Sequence, residues 1–219
     1  MHRDRLLKLT STLKRRQSDL TVLMDQVHKA HNLSAILRNC DAVGVFEIHA
    51  VAPEGGLKIH DHTSAGTGKW VKVIQHAGIQ DAADILKDKG LRLLGAQPSP
   101  GAIDFREVDY TQPTAIMMGA EKMGLSDEGV DLADEHIAIP MMGMVHSLNV
   151  SVATAIILFE AFRQRQALGM YDESHINPVE FERTLFEWAY PRVARYYRQK
   201  GEPYPSLDPD GGFIPTDQG

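Results

Sequence analysis

The sequence predicts an α/β fold with a mostly parallel sheet. Short apolar segments typical of buried strands alternate along the chain with amphipathic segments typical of helices, which is the pattern of α/β proteins. Apart from Thr114, residues 114–118 are apolar, as expected for a parallel strand that is buried on both faces. Residues 136–140 lead through a loop into a long helix. Ligands of open α/β sheets bind beyond the carboxyl ends of the strands, so we expect a site in such loops.

The elements follow in order from the N-terminus. The predicted strands cover residues 20–24, 45–51, 70–74, 91–96, 114–118 and 136–140. The predicted helices cover residues 3–17, 33–43, 79–89 and a long segment from about residue 150. Asn32 is a predicted cap of the second helix, which Gly44 ends. Residues 53–56 form a predicted turn, and residues 57–69 a loop or a short helix.

Two helices have apolar stripes with helical spacing, which predict their buried sides. The stripe of the first helix is formed by Leu6, Leu9 and Leu13. The stripe of the long helix is formed by Val152, Ala155, Ile156, Phe159 and Phe162. Beyond residue 171, prolines interrupt the pattern, which predicts an extension with one or two helices within residues 178–199 and a poorly ordered tail.

Composition bounds the class of protein. A chain of 219 residues fits one domain with or without extensions, and it has no apolar run near the roughly 20 residues that span a bilayer. The single cysteine, Cys40, excludes an internal disulfide and fits a reducing cytosol. The net charge is −6, yet both ends of the chain are basic, which is typical either of an RNA or DNA footprint or of solvated helix faces. The basic residues are Arg3, Arg5, Lys8, Lys14, Arg15, Arg16, Arg183, Arg192, Arg195, Arg198 and Lys200.

Several kinds of site are excluded. Val71 stands where a dinucleotide-binding G-x-G-x-x-G would need its third glycine, and the chain has no G-x-x-x-x-G-K-[ST] phosphate loop. It has no G-x-S-x-G nucleophile motif. The ten histidines have no paired cysteines at zinc-site spacing, so we predict no metal. Cys40 lies in an apolar-periodic helix and is interpreted as a core residue.

Three stretches carry the functional interpretation: residues 32–44, 116–125 and 139–151. Taken singly they are typical of a capped helix, a turn after a strand, and a second capped helix. Together, in this order and spacing, they resemble the three signature motifs of the SPOUT RNA methyltransferases, and most closely the TrmH family of tRNA 2'-O-methyltransferases. The resemblance extends over about residues 3–205. It includes residues 15–17, 19–22, 25–29, 108–111, 163–166, 169–171, 190–191 and 201–205.

The resemblance implies a fold and a cofactor. SPOUT proteins have a parallel sheet whose C-terminal segment forms a deep trefoil knot, a rare exception among folds. Here it implies a basic helical extension over residues 1–19, a catalytic domain over 20–168 and a helical extension with a tail over 169–219. The knot loops would bind S-adenosylmethionine without a metal, in a methionine-rich apolar pocket, and the family works as homodimers. The implied cofactor-binding residues are Ala96, Gly119, Ile139 and Leu148.

The resemblance also implies the residues of the reaction, the transfer of a methyl group to a ribose 2'-hydroxyl. Arg38 matches the family's catalytic arginine. Because the pKa of arginine exceeds about 12, we expect Arg38 to stabilise the forming alkoxide and to relay its proton, for example through an RNA phosphate oxygen. The family's other functional positions match Asn32, Glu121, Ser147 and Asn149. Simple helix capping is the alternative role of Ser147 and Asn149.

The implied substrate is tRNA, at guanosine 18 of the D-loop, in the cytoplasm, with the basic extensions gripping phosphates. Residues 61–69 depart from the family pattern, and His146 stands where a glutamine is usual, either as a simple replacement or as a source of pH sensitivity. A ribosomal RNA methyltransferase of the same fold is one alternative, although this sequence shows no small RNA-binding domain ahead of the motifs. A knotted RNA-binding protein without catalysis is the other.

Overall fold

A computed structural model describes residues 2–27, 29–52, 67–121 and 123–214 of the chain. The chain divides into two compact units. One unit, the sheet unit, spans residues 17–170, and the other, the terminal unit, combines the chain up to residue 16 with the chain from residue 171. The strands are β1 Leu20–Asp25, β2 Glu47–Val51, β3 Lys72–His76, β4 Arg92–Ala96, β5 Ile103–Asp104, β6 Thr114–Met118 and β7 Glu135–Ala138. The helices are α1 Arg3–Lys14, α2 Ala30–Ala42, α3 Ile79–Asp88, α4 Asp127–Leu132, α5 Val150–Ala167, α6 Pro178–Ala189 and α7 Pro191–Lys200.

The sheet unit is built on one seven-stranded sheet in the order β3-β2-β1-β6-β4-β7-β5. Every pair of neighbouring strands is parallel, which confirms the predicted α/β class. The strands β1 and β6 lie next to each other near the centre and are buried along their whole length, as the apolar run at 114–118 predicts. The sheet therefore separates two apolar cores.

Alternate residues of the central strands face the two cores. Val22 and Met24 of β1 belong to the core formed with α2 and α5, whereas Leu23 belongs to the core formed with α3. Cys40 of α2 is fully buried in the first core, which confirms its interpretation as a core residue. The helices α2 and α5 pack against each other on one face, and α3 packs against α4 on the other. The unit is a three-layer α/β/α arrangement.

The predicted apolar stripe of α5 was only partly right, since its members Ile156 and Phe162 are partly buried against the core formed with α2. Val152 and Phe159 are 46% and 50% exposed, and the buried side of the helix includes two polar residues with internal partners, Thr154 and Arg165. Apolar residues occur all around this helix, so their spacing could not identify the buried face.

The terminal unit consists of α1, α6, α7 and the following segment to residue 214. The stripe of α1 is buried as predicted, and α1 packs on α6. The ring of Phe186 is surrounded by other aromatic rings, those of Tyr190, Tyr197, Tyr204 and Phe213. In the described part of the tail, the Asp208 N–H donates to the Gly212 carbonyl oxygen at 3.0 Å.

Other predictions also change. The helix α2 begins at Ala30 with Lys29 at its N-cap, so Asn32 lies inside the first turn and is no cap. The helix α4 and the short strand β5 were not predicted from the sequence. Residues 67–69 form one turn of 3-10 helix, and the predicted turn at 53–56 and most of the segment 57–69 lie outside the described residues. Within the described ranges, no helix is long and apolar enough to cross a membrane.

Candidate active site

Three loops meet at one edge of the sheet because three neighbouring parallel strands end there. In the order β6-β4-β7, Gly95 pairs with Met117 and Ala96 with Ile137, so the carboxyl ends of these strands are level. Ala96 ends β4, Gly119 follows β6 and Ile139 lies one residue beyond β7. The family resemblance implies these three positions for one pocket, and the geometry brings them together.

A pocket of about 320 Å³ opens between these loops. That volume is near the lower end of the roughly 300–1,000 Å³ that is typical of small-molecule sites. Six of the predicted site residues line it: Ala96, Gly119, Glu121, Ile139, Ser147 and Leu148. The first turns of α5 add Val150, Ala153 and Ile157, which were not predicted as site residues. The lining is mostly apolar with a few polar groups, and it therefore fits a ligand that joins an adenine ring to a sulfur-bearing chain.

Gly119 is required by the loop that closes one side of the pocket. A Cβ atom on Gly119 would lie 2.0 Å from the carbonyl carbon of Gly124. The Ala120 N–H donates to the Gly124 carbonyl oxygen at 2.9 Å, and the Gly124 N–H donates to the Ala120 carbonyl oxygen at 2.8 Å. The loop can return so tightly only because residue 119 has no side chain.

Glu121 is the centre of a polar cluster at the rim of the pocket. Its Oε1 accepts hydrogen bonds from Asn32 Nδ2 at 2.8 Å and from Asn149 Nδ2 at 2.6 Å. Its Oε2 is paired with the ammonium group of Lys29. Asn149 Nδ2 also donates to Asn32 Oδ1 at 3.1 Å. We call these four residues the carboxylate cluster. It joins the start of α2, the loop after β6 and the start of α5.

The cluster keeps Glu121 ionised. The hydrogen bond from Lys29, and next that from Asn32, lower the pKa of the Glu121 carboxyl below its ordinary value. A carboxylate that already accepts from three donors is a weak proton acceptor. Glu121 is therefore suited to hold other groups in place rather than to remove a proton.

Asn149 links the cluster to the helix behind it. Its Oδ1 accepts from the Ser151 N–H at 2.9 Å and from Ser151 Oγ at 2.6 Å, so the predicted capping role is confirmed for Asn149. Asn39 Nδ2 donates to the Ser151 carbonyl oxygen at 2.8 Å, which ties α2 to the same turn. One asparagine thus caps α5 with its oxygen and binds Glu121 with its nitrogen.

Two partly buried contacts that were not predicted from the sequence fix the loop after β6. Asp25, at the end of β1, accepts from both the Ser126 N–H and Ser126 Oγ at 2.7 Å. The Gln97 side chain accepts from the Leu125 N–H at 3.0 Å and so joins the loops after β4 and β6. A short strand followed by a polar residue is a common pattern, and it did not single out either side chain.

Arg38 lies on α2, six residues after Asn32, and its side chain is exposed. Among the described residues, those that line the pocket do not include Arg38, so the geometry leaves its predicted role untested. His146 lines the pocket and is exposed. Met123, which also lines the pocket, is 84% exposed, and Met142 and Met144 in the loop after β7 are each 94% exposed.

The described parts of the chain contain no group of three or more His, Cys, Asp or Glu side chains placed to hold a metal ion. Exposed basic residues of the terminal unit include Arg3, Arg5, Lys8, Arg192 and Arg195. Arg16 is not one of them, because it is buried with its guanidinium 5.4 Å from the ring centre of Trp188.

Comparison with known proteins identifies the family to which the chain belongs. Residues 19–159 match the model of the SpoU rRNA Methylase family, and residues 163–215 match that of its C-terminal region. The chain is 50% identical over 213 residues to the tRNA (guanosine(18)-2'-O)-methyltransferase of Escherichia coli K12, a match that covers 96% of this chain and 93% of that protein.

Two solved structures extend the comparison. The TrmH/SpoU tRNA modifying enzyme of A. aeolicus has a TM-score of 0.81 and 43% identity, over 87% of this chain and 97% of that one. The SpoU methyltransferase AviRb of Streptomyces viridochromogenes, in complex with the cofactor AdoMet, has a TM-score of 0.62 and 27% identity, over 70% of this chain and 62% of that one. The chain therefore belongs to the SpoU methylase family, as a TrmH-type member of the SPOUT methyltransferases.

Proposed function

We propose that this protein is the S-adenosylmethionine-dependent methyltransferase that modifies the 2'-hydroxyl of guanosine 18 in the D-loop of tRNA. The observation that carries this proposal is the carboxylate cluster at the rim of an apolar pocket formed by the ends of β4, β6 and β7. A protein that only binds RNA has no need for such a cluster beside such a pocket. The Escherichia coli relative, which is named for guanosine 18 of tRNA, supports this choice of substrate.

The pocket would hold S-adenosylmethionine between Ala96, Gly119, Ile139 and Leu148, with the methionines and the α5 side chains as apolar surroundings. When bound, that group supplies a methyl already activated by its positive sulfur. We propose Asn32, Glu121, Ser147 and Asn149 as the residues that orient the ribose and the loops. Correct alignment of the hydroxyl is worth many powers of ten in rate.

Arg38 is the proposed catalytic residue. Its guanidinium donates N–H groups to the ribose oxygen as negative charge develops there, which lowers the barrier. Because arginine stays protonated, the 2'-hydroxyl proton leaves to another acceptor, for which an RNA phosphate oxygen is the candidate. We expect Arg38→Ala to abolish turnover with little change in S-adenosylmethionine affinity measured by calorimetry, and retained turnover would contradict this role.

We also propose a homodimer with a C-terminal trefoil knot. The support for the dimer is the exposed apolar side of α5, where Val152 and Phe159 are about half exposed. A sedimentation mass near the 24.3 kDa of one chain would contradict it. The support for the knot is family membership and the position of β4 between β6 and β7.

We propose the cytoplasm as the location of the protein, because the one cysteine fits a reducing compartment.

The testing experiment is methyl transfer from labelled S-adenosylmethionine to an unmodified tRNA transcript, followed by nucleoside mass spectrometry. We expect one 2'-O-methylguanosine, at position 18. The matched control is the same tRNA with 2'-deoxyguanosine at that position, which has no hydroxyl to methylate. Product on ribosomal RNA but not on tRNA would mean that ribosomal RNA is the substrate. Product on neither RNA would favour an RNA-binding protein without catalysis.

A further inference from the structure

We propose that Lys29 is a positioning residue of the methyl-transfer reaction and that it acts through Glu121. This inference rests on the proposed function and adds a residue to it. Lys29 is the N-cap residue of α2, and its side chain makes no capping hydrogen bond. The ammonium group instead forms an ion pair with Oε2 of Glu121.

The carboxylate cluster divides the two oxygens of Glu121 between different partners. Lys29 occupies Oε2, which leaves Oε1 directed at Asn32 and Asn149. Without the ammonium group, the carboxylate gains freedom to turn about its last single bond, and Oε1 no longer has one fixed direction. Lys29 therefore selects the orientation in which Glu121 holds both asparagine amides.

The orientation of these amides then determines the geometry of the site. Asn32 is fixed because its nitrogen donates to Glu121 while its oxygen accepts from Asn149. Asn32 lies on the same helix as Arg38, and Asn149 begins the helix that lines the pocket. The effect of Lys29 passes from Glu121 to both substrate-facing helices. A misplacement of about 1 Å in such a site costs on the order of a hundredfold in rate.

Charge also distinguishes Lys29 from an ordinary surface lysine. The Lys29 side chain is 43% exposed, whereas that of its partner Glu121 is only 22% exposed. The ion pair is thus partly shielded on the carboxylate side, and Lys29 is the largest cause of the lowered pKa of Glu121. Loss of the lysine raises that pKa and lets Glu121 become protonated at a higher pH.

Kinetics of Lys29→Met with tRNA test the proposal. We expect kcat to fall by about tenfold or more, in line with a misplaced site, while KM for tRNA stays within about threefold. Lys29→Arg keeps the charge and recovers most of kcat, and Lys29→Gln, which also lacks it, behaves like Lys29→Met. The matched control is Lys87→Met. Lys87 lies on α3, its side chain is 40% exposed, and its ammonium group is paired with the Asp134 carboxylate at 3.1 Å. We expect it to leave kcat and KM unchanged.

A double mutant separates action through Glu121 from direct contact with RNA. In the Glu121→Gln background, Lys29→Met causes no further loss if Lys29 acts through the carboxylate. An equal loss of kcat in both backgrounds, or a rise in KM for tRNA with kcat unchanged, would overturn the proposal in favour of a phosphate contact.

A direct readout does not depend on activity. In NMR titration of the ¹³C-labelled Glu121 carboxyl, assigned with Glu121→Gln, we expect the pKa to rise in Lys29→Met and to stay low in Lys87→Met. An unchanged pKa overturns the proposal even if the wild type proves inactive on tRNA. Failure of the proposed function would instead appear as an inactive wild type with a normal Lys29 effect on the titration.

Discussion

The buried guanidinium of Arg165 offers the sharpest test of how the sheet unit is held together. The side chain is fully buried near the end of α5. Its Nε donates to the Tyr110 carbonyl oxygen at 2.8 Å, and its Nη1 donates to Gln17 Oε1 at 2.9 Å and to Asp19 Oδ1 at 2.5 Å. Its Nη2 donates to the carbonyl oxygens of Asp19 at 3.3 Å and of Gln112 at 3.2 Å. One side chain thus donates hydrogen bonds to acceptors in both segments, the one that precedes β1 and the one that precedes β6.

Arg165→Met removes the donors but keeps most of the volume. The carbonyl oxygens of Tyr110 and Gln112 lose a charged donor, and the carboxylate of Asp19 loses its partner. Breaking a fully buried ion pair costs about 3–5 kcal/mol. The Asp19 side chain is 26% exposed, so water partly replaces the lost donor and we expect about 3 kcal/mol. A loss of 1 kcal/mol lowers the thermal unfolding midpoint of a chain of this size by about 2–4 °C, so we expect that midpoint to fall by about 6–12 °C.

The assays are urea unfolding, which gives the free energy of unfolding, and thermal unfolding, which gives the thermal midpoint. Both are followed by circular dichroism at one protomer concentration, because a dimer makes stability concentration-dependent. Arg163→Met is the matched control on the same helix. The Arg163 side chain is 67% exposed and pairs with Glu160 at 2.7 Å, so its loss costs less than about 1 kcal/mol. Equal free energies of unfolding for the two variants would refute the reasoning. Arg165→Lys keeps the charge without the planar fork and should fall between them.

Three further predictions concern the site and the pH dependence of stability. Asn149→Ala and Asn177→Ala each remove a helix cap worth about 1 kcal/mol. We expect only Asn149→Ala to lower kcat, by about a hundredfold. Equal kcat values for the two variants would show that Asn149 is only a cap. Gly119→Ala weakens S-adenosylmethionine binding about tenfold or more in calorimetry because its Cβ meets the Gly124 backbone, whereas Gly143→Ala, with open space around it, does not. Burial, followed by the neighbouring His49, lowers the pKa of His76 from 6.5, so the unfolded chain binds more protons and stability falls as the pH drops below about 6.5. Urea midpoints between pH 7 and pH 5 that fall equally in wild type and His76→Gln would contradict this cause.

Local patterns predicted the strands because the causes of strand formation are local, whereas the pocket positions were implied by the family resemblance. The run at 114–118 is apolar on both sides, and Ala96, Gly119 and Ile139 stand where parallel strands end. The register of a parallel sheet then places such ends together. By contrast, Asn32 looks like a cap in the sequence, and its actual partners Glu121 and Asn149 are 89 and 117 residues away. Lys29 was missed for the same reason, since nothing nearby in the chain indicates a carboxylate partner.

The helix α5 connects two problems that the sequence presents separately. Asn149 begins it at the pocket, and Arg165 lies near its other end, beside the segments that enter β1 and β6. At 1.5 Å per residue, these two positions are about 24 Å apart along the helix. Asn149 holds the reacting edge of the sheet and Arg165 holds the opposite edge. The two variants should therefore separate. Arg165→Met lowers the free energy of unfolding by about 3 kcal/mol while the folded fraction keeps its kcat, whereas Asn149→Ala lowers kcat about a hundredfold and costs only the roughly 1 kcal/mol of a lost cap. If Arg165→Met also lowered the kcat of the folded fraction about a hundredfold, the site would have no support independent of the far end of α5.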